Sequence, residues 1–443
     1  MRIGSNTTLV QKGGGGNLQR FRFLHTADLH IGTPFQGMYK HLPGDWMERL
    51  QRASYEVFTR IVDAAVREGV DFVTIAGDLY DQNTAPMSVH FELLRGFERL
   101  AEHNIPVFVI HGNHDPLTDP SPVRWPNNVH VFPPLPRVVD PSYRAPSTLC
   151  TIGSSTTVQI SGFSYLEPEL YGSLAHAFHR DDQADFAIAL YHGSVGVRGE
   201  HANYAAAQAE ELIRRRFDFW GLGHIHKPAV IRESRPAILY PGNPQGRHVR
   251  EGGVRGCVLV DVIEDKSVKL KFIPTSQVVW DTKTVDVTGL EELAELRSRL
   301  LKAVAEQLDR YAGYPQLIRL AVTGRTALHS AIDEGQWQQA LNEEAAQRNW
   351  PAAIEKLELA TGPAADLETL AHSREFIGEL LRLTNDYKSD PAKARALLTC
   401  LKDVYHAGND LALEAMTDED VFKLLDEALS EVLKSMGQEV EWG

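Results

Sequence analysis

The sequence is poor in cysteine and lacks long hydrophobic runs. The 443 residues include only three cysteines, Cys150, Cys257 and Cys400, which lie far apart. This number and spacing exclude a disulfide framework and a Cys-x-x-Cys zinc site, and they fit a reducing cytoplasm. The longest apolar runs, such as residues 107–110 and 186–190, are far shorter than the roughly 18 residues that cross a bilayer. We therefore expect no membrane-spanning segment.

Basic residues are also fewer than acidic residues. The chain has 45 basic and 59 acidic residues, which gives a net charge of −14. This balance excludes a protein that coats DNA through a wholly cationic surface, but it allows a local basic groove. Residues 361–443 hold 17 acidic and 8 basic side chains. The negative charge is therefore concentrated away from the N-terminal part of the chain.

The order of apolar segments predicts four regions. Residues 1–20 are glycine-rich and predict a flexible tail. In residues 21–273, short apolar strands alternate with segments of helical spacing, which indicates an α/β sheet covered on both faces. Residues 274–361 predict a small α+β unit. A linker is expected at Gly362 and Pro363, and residues 362–443 have an almost purely helical pattern.

Five strand-like runs of the 21–273 region each end in a polar group. The groups are Asp28-Leu-His30, Gly77-Asp78, Gly112-Asn113-His114-Asp115, His192-Gly193 and Gly223-His224-Ile-His226. In α/β sheets, ligands bind beyond the carboxyl ends of the strands. Carboxylate, amide and imidazole groups without cysteine suit divalent metals with mixed nitrogen and oxygen ligands. The sequence therefore predicts a metal centre built from these strand ends.

The predicted ligands are enough for two metal ions. Those expected for one ion are Asp28, His30 and His226, and those for the other are Asn113, His192 and His224. Asp78 is expected to bridge the two ions through its carboxylate. Two ions about 3.5–4 Å apart can activate a bridging water and hold a phosphate for in-line displacement. His114 stays outside both sets, and we expect it to stabilise the transferring phosphoryl group or to protonate the leaving oxygen.

The local backbone at these motifs can also be predicted. In an extended segment, Asp-x-His and His-x-His would place both side chains on one side. Glycines next to the ligands, such as Gly77 and Gly223, would let the backbone approach the metals closely. We expect Asp115 to orient a neighbouring histidine, because metal-binding histidines usually donate their other N–H to an acceptor.

In this order, the five motifs resemble the signatures of the calcineurin-like metallophosphoesterase superfamily. Leu24-His-Thr-Ala-Asp28 and Gly77-Asp-Leu-Tyr-Asp-Gln-Asn resemble the SbcD-like DNA repair exonucleases. Tyr240-Pro-Gly-Asn-Pro-Gln-Gly-Arg-His-Val-Arg-Glu resembles the YhaO-type subgroup, and Leu317-Ile-Arg-Leu-Ala-Val-Thr-Gly-Arg-Thr resembles part of the capping domain of such nucleases. The resemblance covers roughly residues 21–359.

The resemblance implies a fold and an activity. The fold would be a four-layer α/β metallophosphoesterase sandwich with a small α+β capping domain and a helical C-terminal segment. The activity would be hydrolysis of DNA phosphodiester bonds by a two-metal exonuclease, with endonuclease activity as a further option. The implied metal is Mn²⁺, although the ligands alone also admit iron or zinc. Some family members have histidine where this chain has Asp81, so the auxiliary role of that position stays open.

DNA and an ATPase are the partners that the resemblance implies. Arg247 and Arg250 follow the last metal motif and are expected to contact DNA phosphates. SbcD-like nucleases bind an SbcC-type coiled-coil ATPase through C-terminal helices. Here the sequence 417–420 predicts a helix cap, followed by an apolar stripe over 421–433, and a second stripe contains Phe376, Leu380 and Leu383. The two stripes could instead pack on each other.

Other function classes remain open from the sequence. A phosphodiesterase or phosphatase for small nucleotides would use the same metals, but a compact enzyme of that kind needs neither the capping unit nor the helical tail. An architectural subunit that tethers DNA ends with little cleavage is the other alternative. For the nuclease we expect a cytoplasmic, nucleoid-associated location and no membrane contact, and a homodimer is left open.

Overall fold

The structure, a computed structural model, describes residues 18–33, 42–118, 122–196, 204–363, 376–399 and 417–435. The chain forms two compact units. One consists of Met1–Asp281 with Tyr311–Leu317, and the other of Thr282–Arg310 with Ile318–Gly443. The division into four regions stays a prediction, and residues 1–17 of the expected tail lie outside the described residues.

Two β-sheets form the centre of the first unit. Their strands are β1 (Phe21–Thr26), β2 (Phe72–Ala76), β3 (Val107–Ile110), β4 (Val129–Val131), β5 (Ser147–Ile152), β6 (Thr156–Ser161), β7 (Phe186–His192), β8 (Phe219–Gly223), β9 (Ala229–Arg232), β10 (Ala237–Tyr240), β11 (Gly256–Val262) and β12 (Val268–Pro274). Over the described ranges, six strands form one sheet in the order β12-β11-β1-β2-β3-β4, and six form the other in the order β5-β6-β7-β8-β10-β9.

Aromatic and branched side chains fill the space between these sheets. The rings of Phe23 and Phe72 stack at 5.0 Å, and Phe219 of the opposite sheet meets Phe23 edge-on at 5.1 Å. Each such buried side chain contributes roughly 1.5–3 kcal/mol. Successive strand residues point to opposite faces, so Leu24 lies in the core on the other side of β1. Strand alternation thus builds two cores on either side of one sheet.

Helices cover the outer face of the first sheet. They are α1 (Trp46–Glu68) and α2 (Met87–Glu102), which contribute Phe58 and Phe97 to the core beneath them. Helix α1 ends at Glu68, where the following Gly69 adopts the left-handed conformation with φ 62°. The short helix α3 (Ala209–Arg214) and neighbouring loops cover the outer face of the second sheet. These layers confirm the predicted four-layer α/β sandwich.

The strand directions bring the predicted motifs to the same end of each sheet. Strands β1, β2 and β3 are parallel, and so are β6, β7, β8 and β10. The polar groups all follow the carboxyl ends of strands from these two parallel sets. Their convergence is a consequence of this topology.

The second unit has its own small core. Helices α4 (Leu293–Arg310) and α5 (Glu334–Gln347) occur with a sheet in the order β13 (Val279–Asp286), β14 (Gln316–Thr326), β15 (Ala352–Pro363). This agrees with the predicted α+β unit. The linker predicted at Gly362 and Pro363 is wrong, because β15 continues through both residues. Proline is tolerated there because β15 lies at the sheet edge and the residue ends the strand.

After β15, the described residues form three helices: α6 (Phe376–Lys388), α7 (Pro391–Thr399) and α8 (Asp418–Ser435). The predicted cap is present, since Thr417 Oγ1 accepts from the Asp420 N–H at 3.2 Å and Asp420 Oδ2 accepts from the Thr417 N–H at 2.9 Å. Val421 and Leu425 of the predicted stripe pack with Ala394 of α7. The side chain of Leu433 lies outside the described residues. In the described ranges, none of the helices has the length and apolar character needed to cross a membrane.

Candidate metal centre

The loops after β1 and β2 carry three of the predicted ligands in an unusual backbone conformation. Asp28, His30 and Asp78 have φ values of 52°, 45° and 55°. The extended conformation predicted for Asp-x-His is therefore wrong. The two loops are instead joined side by side, because the N–H of Asp28 donates to Gly77 O and that of His30 to Asp78 O, both at 3.0 Å. Left-handed non-glycine residues cost on the order of 1–3 kcal/mol each and cluster at functional sites.

Asp78 lies between the two predicted ligand sets. Its Oδ2 is 3.3 Å from Nε2 of His192 and 3.7 Å from Nε2 of His30, so it faces one histidine from each set. Its Oδ1 accepts the backbone N–H of His114 at 2.9 Å. One oxygen therefore fixes the carboxylate, and the other faces both predicted ligand sets; its bridging of two ions stays a prediction.

The first predicted set converges on one point. Ligand atoms of Asp28, His30 and His226 all lie within 4.8 Å of one another. The Nε2 atoms of His30 and His226 are 3.2 Å apart. Each ring donates its Nδ1–H to a carboxylate, at 3.0 Å to Asp81 and at 2.6 Å to Glu251. Both Nε2 lone pairs consequently point into the same space, as they would toward a common metal ion.

The second predicted set converges on Asn113. Its Oδ1 lies 2.9 Å from Nε2 of His192 and 3.2 Å from Nδ1 of His224. His192 donates its Nδ1–H to the carbonyl of Ala76 at 2.8 Å, which turns Nε2 toward the cluster. His224 also has a left-handed backbone, with φ 93°. The structure thus brings all seven predicted ligands together, and their binding of metal stays a prediction.

The charge and burial of these residues fit a divalent cation. Asp28 is fully buried, and its Oδ2 makes no hydrogen bond to any described residue. Burial raises the pKa of Asp28 to about 6. Burial works to lower the pKa of His192, but the Asp78 carboxylate outweighs it and raises that pKa to about 9. The carboxylates therefore require nearby positive charge, which bound metal would supply in place of protons.

Two glycines allow this packing, as predicted. Gly77 has φ 90°, and a Cβ there would lie 2.3 Å from Nδ1 of His192. A Cβ at Gly223 would lie 1.9 Å from the carbonyl oxygen of Ala76. Any larger residue would push apart the strand ends that carry the ligands.

His114 lies beside the cluster and is 46% exposed. Its Nδ1 is 2.8 Å from Asp81 Oδ1, and this hydrogen bond raises the pKa of His114. Asp81 also accepts from His30, so one carboxylate orients both a predicted ligand and the predicted catalytic residue. The sequence left the role of Asp81 open. Its position three residues after Asp78 was the signal that could have indicated a role at this site. Burial works to raise the pKa of Asp81, but its hydrogen bonds from His114 and His30 hold that pKa well below the usual range.

The two predicted DNA-contact residues differ in placement. Arg247 is close to the cluster, with Nη1 3.9 Å from Asp81 Oδ2, and its buried Nε makes no hydrogen bond within the described ranges. Arg250 is exposed. Sequence reasoning missed Tyr204, whose ring lies 5.1 Å from that of His224, and it missed Glu251. Neither residue belongs to a metal motif. Glu251 is the last residue of the YhaO-type segment that begins at Tyr240, but its contact with the site depends on the tertiary structure, as does that of Tyr204.

Comparisons with known proteins agree with this geometry. Residues 21–228 match the calcineurin-like phosphoesterases, and residues 280–362 match the middle domain of metallophosphoesterase YhaO. The chain is 33% identical over 344 residues to the uncharacterized metallophosphoesterase YhaO of Bacillus subtilis, which covers 75% of this chain and 81% of that protein.

Other relatives are more distant. The DNA double-strand break repair protein Mre11 of Sulfurisphaera tokodaii is 24% identical, over 64% of this chain and 70% of its own. The D component of the nuclease SbcCD of Bacillus subtilis is 23% identical, over 54% of this chain and 65% of its own. The extent of the match to YhaO, together with the ligand constellation, shows that the chain belongs to the calcineurin-like metallophosphoesterases and has a YhaO-type middle domain.

Proposed function

We propose that this metallophosphoesterase is a two-metal DNA exonuclease, with endonuclease activity as a further option and Mn²⁺ as its metal. The observation that carries the proposal is the position of Asp78 Oδ2, which faces His30 of one ligand set and His192 of the other. The relatives named for DNA break repair and for the SbcCD nuclease support DNA as the substrate.

The residues around the cluster have distinct tasks in this proposal. Two bound divalent ions would hold the scissile phosphate and activate the attacking water. Arg247 binds a phosphate oxygen, because its guanidinium group is partly buried beside the cluster and has an unpaired Nε within the described residues. Asp81 holds Nδ1 of His114, which leaves Nε2 to face the leaving oxygen. His114 therefore donates a proton to the deoxyribose oxygen as it departs.

Cleavage of end-labelled DNA tests the proposal. Duplex and single-stranded DNA, a cyclic nucleotide and bis(4-nitrophenyl) phosphate are compared in Mn²⁺, Fe²⁺ and Zn²⁺. We expect shortened labelled DNA with Mn²⁺, and none with Asp78→Asn as a control for contaminating nucleases. Asp71→Asn, directly before β2, is the matched substitution outside the cluster and should keep the activity. Turnover of small phosphodiesters without DNA cleavage would favour the small-nucleotide enzyme instead.

An SbcC-type ATPase is the partner in the same proposal. Helix α6 buries Gly378, Leu381 and Thr384, whereas Phe376 and Leu383 are 65% and 51% exposed. Such exposed apolar side chains on a helix suit a partner helix. The acidic character of residues 361–443 disfavours DNA contact there.

Binding to the ATPase can be tested without removing the helices. Phe376→Asp combined with Leu383→Asp should abolish co-purification with the ATPase and leave metal-dependent cleavage unchanged. Val138→Asp is the matched control, since Val138 is 81% exposed in the other unit. Undiminished co-purification of the double variant would place the docking site elsewhere.

A further inference from the structure

Glu251 is a buried carboxylate next to the metal centre that belongs to neither ligand set. It is 5% exposed and lies in a short 3-10 turn, Val249–Glu251, which follows β10. Burying a charged group is costly unless it is paired and hydrogen-bonded. The partners of this carboxylate therefore indicate what it does.

The two oxygens of Glu251 have different partners. Oε1 accepts the Nδ1–H of His226 at 2.6 Å. Oε2 accepts from Nδ2 of Asn243 at 2.7 Å and from the backbone N–H of Arg247 at 2.8 Å. His248 is a weaker neighbour, with Nε2 3.3 Å from Oε1. One oxygen holds a predicted metal ligand, and the other holds the loop that carries the predicted phosphate-binding arginine.

Arg255 fixes the backbone around this carboxylate. Its buried guanidinium group donates to the carbonyl of Glu251 at 3.1 Å and to Oδ1 of Asn243 at 3.2 Å. It also donates to the carbonyl of His226. Hydrogen bonds to both backbone and side-chain atoms therefore fix the segment from His226 to the loop that carries Arg247.

We propose that Glu251 is a positioning residue that keeps His226 in its metal-binding orientation and tautomer, and that also holds the Arg247 loop against the same centre. This inference rests on the proposed metal-dependent function and deepens it. A histidine binds metal through an unprotonated nitrogen, and the acceptor on its other nitrogen decides which one is unprotonated. Glu251 keeps the proton on Nδ1, so that Nε2 faces the cluster.

The substitution Glu251→Gln separates the two roles. The Oε2 side faces two N–H donors, from Asn243 and Arg247, so the amide oxygen of glutamine stays there. The amide NH₂ then faces Nδ1 of His226, which must accept rather than donate. The ring proton moves to Nε2, which can no longer bind metal, whereas the Arg247 loop keeps its contacts.

Titration of the full-length protein with Mn²⁺ alone tests this inference. Wild type should bind two ions, and Glu251→Gln should bind one of them about 10–100-fold more weakly. Combined with His226→Ala, the Glu251→Gln substitution should add little further loss, because it acts through the side chain already removed. Asp218→Asn is the matched control, since Asp218 is also a buried carboxylate that accepts hydrogen bonds but lies outside the cluster.

Several outcomes would overturn the inference. These are wild-type affinity for both ions in folded Glu251→Gln, an additive loss in the double variant, an equal loss in Asp218→Asn, or no Mn²⁺ binding by wild type. If Glu251→Gln does not fold, Glu251→Asp carries the same test, because it keeps the charge and should weaken the same ion by less. The titration contains no DNA. Wild type that binds two Mn²⁺ ions but cleaves no DNA would therefore refute the nuclease and leave the role of Glu251 to be decided by the titration.

Discussion

Replacement of His114 by alanine tests the assignment of the general acid. The side chain belongs to neither predicted ligand set, and its backbone N–H donates to Asp78 Oδ1 at 2.9 Å. His114→Ala keeps that N–H, so the variant should retain both metal ions. A general acid contributes about 10²–10⁴-fold to the rate, which corresponds to about 3–5 kcal/mol of activation free energy. We expect kcat for DNA cleavage at saturating Mn²⁺ to fall by that factor.

The leaving group distinguishes the two roles that the sequence allowed for His114. A deoxyribose oxygen needs a proton as it departs, whereas a nitrophenolate is stable without one. If His114 is the acid, the alanine variant should lose far less activity toward bis(4-nitrophenyl) phosphate than toward DNA. Asp81→Asn should show an intermediate loss on DNA, about 10–100-fold, because it removes a charged hydrogen bond of about 1.5–3 kcal/mol. Metal content, measured by elemental analysis, must be equal in the compared samples.

Near-normal DNA cleavage by His114→Ala at saturating Mn²⁺ would remove His114 from the chemistry. Equal losses on DNA and on the nitrophenyl ester would assign it to charge stabilisation of the phosphoryl group rather than to proton donation.

Three further predictions concern the metal centre and its packing. Asp78→Asn should stay folded but lose at least one metal, and two tightly bound ions by elemental analysis would contradict the bridging role. The pKa of His192 is raised to about 9, so below that pH Mn²⁺ must displace a proton from the imidazole. The affinity of the protein for Mn²⁺ should therefore rise by up to about tenfold per pH unit until the pH reaches that pKa. Calorimetry in two buffers of different ionisation enthalpy measures the proton released on Mn²⁺ binding. An affinity that does not change with pH would contradict the release of a proton from His192. Gly223→Ala should lower the free energy of unfolding by about 1–3 kcal/mol, because the added Cβ meets the backbone oxygen of Ala76. Gly335→Ala is the control, since the nearest atom to its added Cβ would be 3.6 Å away. An equal loss of stability in Gly335→Ala would contradict the steric explanation.

The α/β character of residues 21–273 and the convergence of the predicted ligands followed from local sequence signals, whereas the four-layer arrangement was implied by the family resemblance. Apolar runs such as residues 72–76 are typical of buried strands, and each ends directly before its polar group. Residue type then limits the chemistry, since carboxylate, amide and imidazole groups that converge without cysteine suit divalent metals. Local patterns were sufficient here because ligand and strand lie next to each other in the chain.

Features that depend on distant contacts could not be predicted in this way. The left-handed conformation of Asp28 depends on a hydrogen bond from its N–H to Gly77 O on another loop. Glu251 lies 25 residues from His226 in sequence, and no motif connects the two. The linker expected at Gly362 and Pro363 was inferred from residue type, but the strand continues because its edge position does not require the proline N–H.

The positive φ angles at the predicted metal centre occur together with hydrogen bonds that hold the same residues. Four predicted ligands, Asp28, His30, Asp78 and His224, have positive φ, which is unfavourable for residues with a Cβ. Such conformations persist only where surrounding contacts fix them. Those contacts are present here, because the His30 N–H donates to Asp78 O at 3.0 Å and the His224 N–H donates to Asp28 Oδ1 at 2.9 Å. The ligands are thus held in place by hydrogen bonds within the protein itself, so metal binding does not have to bear the cost of ordering the loops.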